Sequence, residues 1–327
     1  MTPAPDAALR ASTGVASAAA PESGDSVGPL IRVVVVTYSP GECLASFLSS
    51  LAAATTTPYE VVLADNGSTD GAPEAAAAAG LGRLLRTGGN LGYGGAANVG
   101  VRQTSAPWLV VANPDIEWAP GSLDAMIAAT ARWPDGGAFG PAIETPQGDL
   151  YPSARGFPSL RRGVGHALLG WWWPRNPWTA AYRQEQSDPV EGPTGWLSGS
   201  CLLLRRTAFE AVGGFDESYF MFCEDLDLCD RLSQAGWRSV YVPGALVMHV
   251  GGHSWRRAPA RMLYHHHRST YRYLSRKYAG VRYAPLRLVL AIGLAARFLL
   301  SLVVHRVAEG APPARSADVL PTTTEEP

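Results

Sequence analysis

Two stretches of this chain carry residues whose types and spacing could do chemistry. The first is Trp108-Leu109-Val110-Val111-Ala112-Asn113-Pro114-Asp115. An apolar run entering a carboxylate with no polar alternation predicts a strand buried on both faces. Open α/β sheets bind their ligands just beyond the carboxyl ends of such strands. Pro114 fixes φ and biases Asn113 toward extended backbone, so Asp115 is presented at that edge. One carboxylate, completed by phosphate oxygens of a ligand, suits Mg²⁺ or Mn²⁺; the ordinary alternative is an aspartate that closes a turn. The second stretch is Phe220-Met221-Phe222-Cys223-Glu224-Asp225-Leu226-Asp227-Leu228-Cys229-Asp230-Arg231. On a helix beginning near Glu224, Leu228 and Leu232 face a core while Glu224, Asp225, Asp227 and Asp230 crowd the first turns. The helix dipole explains one or two acids there. Four behind an aromatic run mark a candidate site.

The elements that must position these residues follow from the flanking pattern. Ile31–Val36 reads as a buried strand ending at Thr37-Tyr38, followed by a helix with Leu44, Phe47, Leu48 and Leu51 at helical spacing. Tyr59–Ala64 is a second strand ending at Asp65-Asn66-Gly67-Ser68-Thr69-Asp70-Gly71, and an Ala-rich helix and a short strand at Arg83–Arg86 follow. The glycine-rich run Asn90–Gly100 opens a further helix before the Trp108 strand. This β-α-β-α-β-α-β alternation predicts an α/β fold with a doubly wound, mostly parallel sheet flanked by helices. Thr37, Asp65 and Asp115 then share one edge, an arrangement suited to a nucleotide. Gly92, Gly94 and Gly95 remove β-carbons where backbone must approach a phosphate or sugar near a helix N-terminus. The run is not a GxGxxG following the first strand, so NAD is disfavoured. A helix over Ala119–Trp133, strands near Ala138–Ile143 and after Trp196, and a last strand at Val240–Val242 leading to His249 complete the pattern.

The sequence has 327 residues and a net charge of −1, which gives no reason to expect nucleic acid. Its four cysteines form no CxxC pair and read as reduced, buried small hydrophobes. The expected organisation is a disordered leader over 1–29, one domain over 30–257, C-terminal basic and apolar helices over 258–306, and a disordered tail over 307–327. The domain divides into a nucleotide half (30–118) and a second half (119–257), with a long, partly irregular insertion at 147–195 rich in Pro, Arg and Trp. A homo-oligomer is compatible with this reading.

Val36-Thr37-Tyr38, Asp65–Gly71, Asn90–Gly100, Asn113-Pro114-Asp115, Gly213-Gly214-Phe215-Asp216-Glu217, Glu224-Asp225-Leu226-Asp227-Leu228 and His249–Ser254 occur in one order over about Ile31–Tyr278. Together they resemble the family 2 inverting glycosyltransferases of the GT-A fold, nearest to the rhamnosyltransferase branch of cell-wall and surface-polysaccharide assembly. The resemblance implies that Thr37, Tyr38 and Asp65 hold a nucleoside and that Asn90, Gly92, Tyr93 and Asn98 shape the donor pocket. It makes Asp115 the surviving acid of an Asp-x-Asp metal motif in which Asn113 replaces the first, with His249 as a further metal or pyrophosphate ligand. Asp225 would be the general base with Glu224 as its competitor. Trp196, Ser198, Glu224 and Arg231 would meet the acceptor. The implied reaction is transfer from a nucleotide sugar, dTDP-L-rhamnose first among candidates, to a polyprenyl-pyrophosphate-linked saccharide such as GlcNAc. Galactofuranose or hexosamine donors, an inactive binding module and a nucleotidyltransferase are the rivals; the last lacks a basic, glycine-rich triphosphate loop.

Beyond this region Arg261, His265, Arg268, Arg272 and Arg276 fall within about 80° of one helical face. Leu286–Val304 is apolar enough to raise a membrane span, but Arg297 inside it costs about 2.5–3.5 kcal/mol at a bilayer centre. The expectation is an interfacial helix, with the basic face toward anionic headgroups or a lipid pyrophosphate, and peripheral attachment at the cytoplasmic face of the membrane.

Overall fold

A computed structural model describes residues 30–158, 190–251 and 259–310. The expected leader, the Trp171-Trp172-Trp173 segment, the boundary at 257/258, and the tail from 311 onward lie outside the described residues. In chain order the strands are β1 (Ile31–Thr37), β2 (Tyr59–Asp65), β3 (Arg83–Arg86), β4 (Trp108–Ala112), β5 (Ile116–Trp118), β6 (Gly136–Glu144), β7 (Leu150–Tyr151), β8 (Ala154–Arg155), β9 (Gly192–Thr194), β10 (Trp196–Leu197), β11 (Cys201–Arg205) and β12 (Arg238–His249). The helices are α1 (Cys43–Ala54), α2 (Ala72–Ala78), α3 (Gly92–Gly100), α4 (Ser122–Arg132), α5 (Arg206–Ala211), α6 (Glu224–Gln234), α7 (Pro259–Lys277) and α8 (Ala284–Gly310).

The main sheet runs β3-β2-β1-β4-β11-β6-β12-β5. β3, β2, β1 and β4 are parallel, β11 reverses against both β4 and β6, β12 runs parallel to β6, and β5 reverses at the far edge. Every strand of this path therefore points the same way except β11 and β5.

The uninterrupted apolar runs feed two cores, one per face, through the two-residue period of a strand. Val33 and Val35 of β1 and Val110 and Ala112 of β4 pack with α1 and α4 through Leu44, Phe47, Leu123 and Met126. Their alternate neighbours Val34, Val36, Leu109 and Val111 pack with α3, α5 and α6 through Ala96, Ala97, Phe209 and Leu228. β1 and β4 are buried on both sides, so their polar side chains lie near the two ends: Arg32, paired with Glu60, near the start of β1 and Thr37 at its finish. The four cysteines are free.

One expectation changes and two details are added. The last strand is not confined to Val240–Val242: β12 runs through to His249, with a register shift between Val242 and Leu246 that re-aims its second half. β5 forms directly after the Asn113-Pro114-Asp115 turn by pairing antiparallel with that second half. Within the expected irregular insertion, the described ends form short pairings: β7 on β6, β8 on β10, and β9 on β12.

α7 and α8 follow the sheet as a helical hairpin whose Tyr264 and His267 meet Phe298 edge-on at 6.2 and 5.8 Å. Over Val281–Leu302 the chain is long and apolar enough to cross a membrane and is uncovered. Leu288, Val289, Ile292, Leu299 and Leu300 are each more than 60% exposed. Part of the basic face expected to look outward packs on the domain, while Arg261, Arg268 and Arg276 remain exposed. His265 stacks on Phe220 at 4.4 Å, Arg261 lies over the same ring, Arg272 lies over Tyr219, and Arg276 pairs with Asp216 and Asp227. Arg287 is likewise drawn inward, donating to the carbonyls of Tyr278, Ala279 and Gly280 that close α7.

Candidate active site

The carboxyl edge of the sheet gathers two clusters. The first is set by the register of β5 on β12, which pairs Ile116 with His249. That pairing brings the preceding Asp115 alongside, with His249 Nε2 at 3.1 Å from Asp115 Oδ1, and the Val250 N–H donates to the Asp115 carbonyl. Both side chains keep some solvent, at 14% and 23% exposure. Asn113 stands one turn back, its N–H donating to Ser200 at the start of β11. An oxygen and an imidazole nitrogen this close can share one hard divalent cation if a ligand supplies the remaining oxygens. Among the described residues no group of three or more His, Cys, Asp or Glu side chains is arranged to hold a metal alone.

The second cluster surrounds Gly199 in the Ser198-Gly199-Ser200 turn between β10 and β11. Its N–H donates to Asp225 Oδ2 at 2.8 Å, and its carbonyl accepts the Tyr93 hydroxyl at 2.5 Å. Asp225 Oδ1 accepts the Leu226 N–H at 2.8 Å. Burial pushes the Asp225 carboxyl up, while the N–H groups of Gly199 and Leu226, and the charge of Arg155, favour its ionised form. Glu224 has less help. It is 6% exposed and its Oε2 is buried with no hydrogen bond. Desolvation first, and the adjacent Asp225 charge second, lift its carboxyl well above the carboxylate range. Burial, followed by the charge of Glu224, also raises the Tyr93 phenol strongly, which keeps it a neutral donor.

The backbone entering this cluster is under strain. Phe222 (φ 67°) and Cys223 (φ 63°) both occupy the left-handed region immediately before Glu224. Such conformations in non-glycine residues concentrate where the surroundings over-determine the chain. On the other side, Gly92 (φ +79°) opens α3 directly beneath Phe220: a β-carbon there would collide with the Phe220 carbonyl, which accepts the Tyr93 N–H at 3.0 Å. Trp196 lies under the guanidinium of Arg155 at 5.2 Å, and Ser198 Oγ is 3.2 Å from Ser200 Oγ. Both flank the Gly199 turn.

Other residues singled out from the sequence are committed elsewhere. Thr37 is fully buried and its hydroxyl donates to Asp65 Oδ1 at 3.0 Å. Asp65, 1% exposed, also accepts the Ser68 N–H and meets Arg86 at 3.5 Å. The pair therefore builds the turn after β2, and Tyr38, 50% exposed, is the open side chain at this end. Asn90 Oδ1 caps Gly92, and Asn66 ties that loop down through the Gly92 carbonyl and the Leu91 N–H. Asn98, expected in the donor pocket, spends its amide on Phe215 and Glu217. Arg231, expected at the acceptor, pairs with Asp227 at 2.7 Å and donates to the Val212 carbonyl. Neither is brought to the Gly199 cluster. Conversely, the sequence does not single out Gly199 or Arg155; the small-residue turn Ser-Gly-Ser is the one hint of the former.

Comparison with known proteins converges on one family. Residues 32–213 match the model of glycosyl transferase family 2, and residues 182–308 match that of glycosyl transferase family group 2. The chain is 55% identical over 280 residues to an N-acetylglucosaminyl-diphospho-decaprenol L-rhamnosyltransferase of Mycobacterium tuberculosis, covering 82% of this chain and 91% of that protein. It is 41% identical over 125 residues to rhamnosyltransferase WbbL of Escherichia coli, covering 38% of this chain and 45% of that one. Among solved structures, a mannosyltransferase from Pyrobaculum calidifontis in complex with GDP-Man and Mn²⁺ superposes with a TM-score of 0.50 at 17% identity, over 88% of this chain and 77% of that one. This last likeness is one of fold.

Proposed function

Since the chain belongs to glycosyl transferase family 2 and is a glycosyltransferase, we propose that it transfers L-rhamnose from dTDP-L-rhamnose to GlcNAc carried on a polyprenyl diphosphate, with inversion at the anomeric carbon. The relative that is 55% identical over nine-tenths of its own length supports this choice of sugar and acceptor. The chemistry rests on one observation: Asp225, held by the Gly199 N–H at the opening of α6. Inversion in a single displacement needs a carboxylate to take the acceptor hydroxyl proton as its oxygen attacks the sugar. Asp225 has N–H donors that favour the charged form. Glu224 Oε2 is buried without a hydrogen-bond donor and burial raises its carboxyl, so its charged form has less support than that of Asp225.

Asp115 and His249 fit a Mg²⁺ or Mn²⁺ ion completed by the donor diphosphate, with Asn113 beside them. When bound, such an ion neutralises the charge that develops on the departing nucleoside diphosphate. Tyr38 and the Asn90–Tyr93 loop line the nucleotide side. Thr37 and Asp65 act behind this surface, holding the turn after β2 on which it is built. Trp196 and Ser198 receive the acceptor sugar beside Asp225. We place the protein peripherally at the cytoplasmic face of the membrane, and the uncovered apolar helix α8 supports contact with lipid.

The test is incubation of the purified full chain with dTDP-L-rhamnose and a short polyprenyl-diphosphate GlcNAc. Mass spectrometry should show a deoxyhexose added to the acceptor, and NMR the inverted anomer. Transfer from a different nucleotide sugar, with none from dTDP-L-rhamnose, would reassign the donor.

A further inference from the structure

The strained segment that delivers Asp225 has to be held from outside, and the structure shows what holds it. From Asp216 to Asp227 the chain turns, passes Phe222 and Cys223 in the left-handed region, and enters α6. Residues of α7 touch this path along its length. His265 stacks on Phe220, His266 meets Phe222 edge-on at 5.4 Å, and Ser269 Oγ donates to the Met221 carbonyl at 2.8 Å. Farther along, Tyr273 donates to Asp230 of α6 at 2.9 Å. One turn beyond Tyr273, Arg276 Nη1 bonds Asp216 at one end of the segment and lies 3.3 Å from Asp227 Oδ1 at the other.

We propose that Arg276 is a positioning residue for Asp225: it closes the Asp216–Asp227 loop as a non-covalent bridge and fixes the first turn of α6, and with it the base. The inference rests on Asp225 being the base. Asp227 is 6% exposed and also accepts from Arg231 of its own helix at 2.7 Å. The helix therefore keeps an internal partner for Asp227 when Arg276 is removed, and the loss falls on the loop rather than on the fold. Both carboxylates are met by the same nitrogen, Arg276 Nη1, so a lysine ammonium that reached this point could meet both, on a shorter and more flexible stem. Arg276 touches neither the nucleotide side nor the Asp115–His249 pair.

The experiment compares the wild-type full chain with Arg276→Ala and Arg276→Lys. It reads kcat and donor KM for rhamnosyl transfer, together with amide hydrogen exchange. For Arg276→Ala the expected result is a ten- to thirtyfold lower kcat, a donor KM within twofold, and faster exchange confined to residues 219–229. Arg276→Lys should recover part of the kcat. An Arg276→Ala kcat within twofold of wild type would overturn the proposal. So would a loss matched in donor KM and accompanied by faster exchange across β1–β4, since that is general destabilisation. If the wild-type chain transfers nothing to the lipid-linked GlcNAc, the substrate assignment falls and exchange alone decides for Arg276: faster exchange limited to 219–229 supports it, and unchanged exchange overturns it.

Discussion

Tyr93 and Asp225 hold the same residue from two sides: the phenol donates to the Gly199 carbonyl and the carboxylate accepts the Gly199 N–H. One belongs to the helix after the glycine-rich loop and the other to the acidic helix more than a hundred residues later. A side chain next to the nucleotide loop and the candidate base thus share one peptide segment as their anchor. Displacing that segment moves both.

Asp225→Asn removes the proton acceptor but keeps the shape and one hydrogen-bonding oxygen. Its kcat should fall by about 10²–10⁴, the range of general-base catalysis, with the donor dissociation constant unchanged by calorimetry. Glu224→Gln, which keeps the shape of the buried side chain beside the base, should lose far less kcat than Asp225→Asn. The reverse ranking would exchange the two roles.

Gly199→Ala introduces a methyl group 3.2 Å from the Asp225 β-carbon, tighter than ordinary contact. The carboxylate must shift by a few tenths of an ångström. Steady-state kinetics should show a lower kcat with little change in donor KM. Thermal unfolding should show a modest loss, on the order of 1 kcal/mol as for mild overpacking.

The pH response of stability follows from Glu224. Burial raises its carboxyl in the folded state, so the folded protein binds this proton more tightly than the unfolded chain. The stabilising contribution is fully present below the unfolded value, near 4.3, and is lost as pH rises through the higher folded value. Urea unfolding from pH 5 to 9 should therefore show Glu224→Gln gaining on wild type as pH rises. A constant difference across that range would mean that Glu224 is charged in the fold.

Asp115→Ala and His249→Ala should each weaken binding of the nucleotide sugar measured with Mn²⁺. Neither should change the weaker binding measured in chelator. If both variants retain the full metal-dependent gain in affinity, the ion sits elsewhere.

Membrane attachment through α8 combines apolar burial with attraction to anionic lipid and should weaken with salt. In liposome flotation the full chain should bind, and a chain ending at Ala284 should not. Equal partitioning of the two, or binding indifferent to high salt, would refute an interfacial helix.

How far the sequence showed this arrangement depended on whether a signal was local. Ile31–Thr37 and Trp108–Ala112 were readable because a strand buried on both faces needs an unbroken apolar run. The place of β11, antiparallel between β4 and β6, was not, because Cys201–Arg205 is equally apolar for either direction. Asp115 and His249 were readable as candidates, but the contact between them depends on β5, three residues whose strand character comes from pairing with β12. Asn98 and Arg231 show the opposite failure. Their side chains suit ligand binding, and only the tertiary structure reveals that Phe215, Glu217, Asp227 and Val212 have already engaged them. The basic stripe of α7 was legible only as a stripe: helical spacing says that residues share a face, not which neighbour that face meets.

The missing β-carbon at Gly92 has an evolutionary consequence. There the backbone that opens α3 rests directly on the Phe220 carbonyl, with no side chain between the nucleotide half and the segment leading to the base. Two surfaces that meet main chain to main chain cannot be adjusted by ordinary substitution, since every residue but glycine has the same bulk at that point. Homologues could therefore exchange nucleotide halves only if the incoming piece also carried glycine there. Recombination that ignored this one position would yield chimeras whose donor loop is intact and whose base is misplaced.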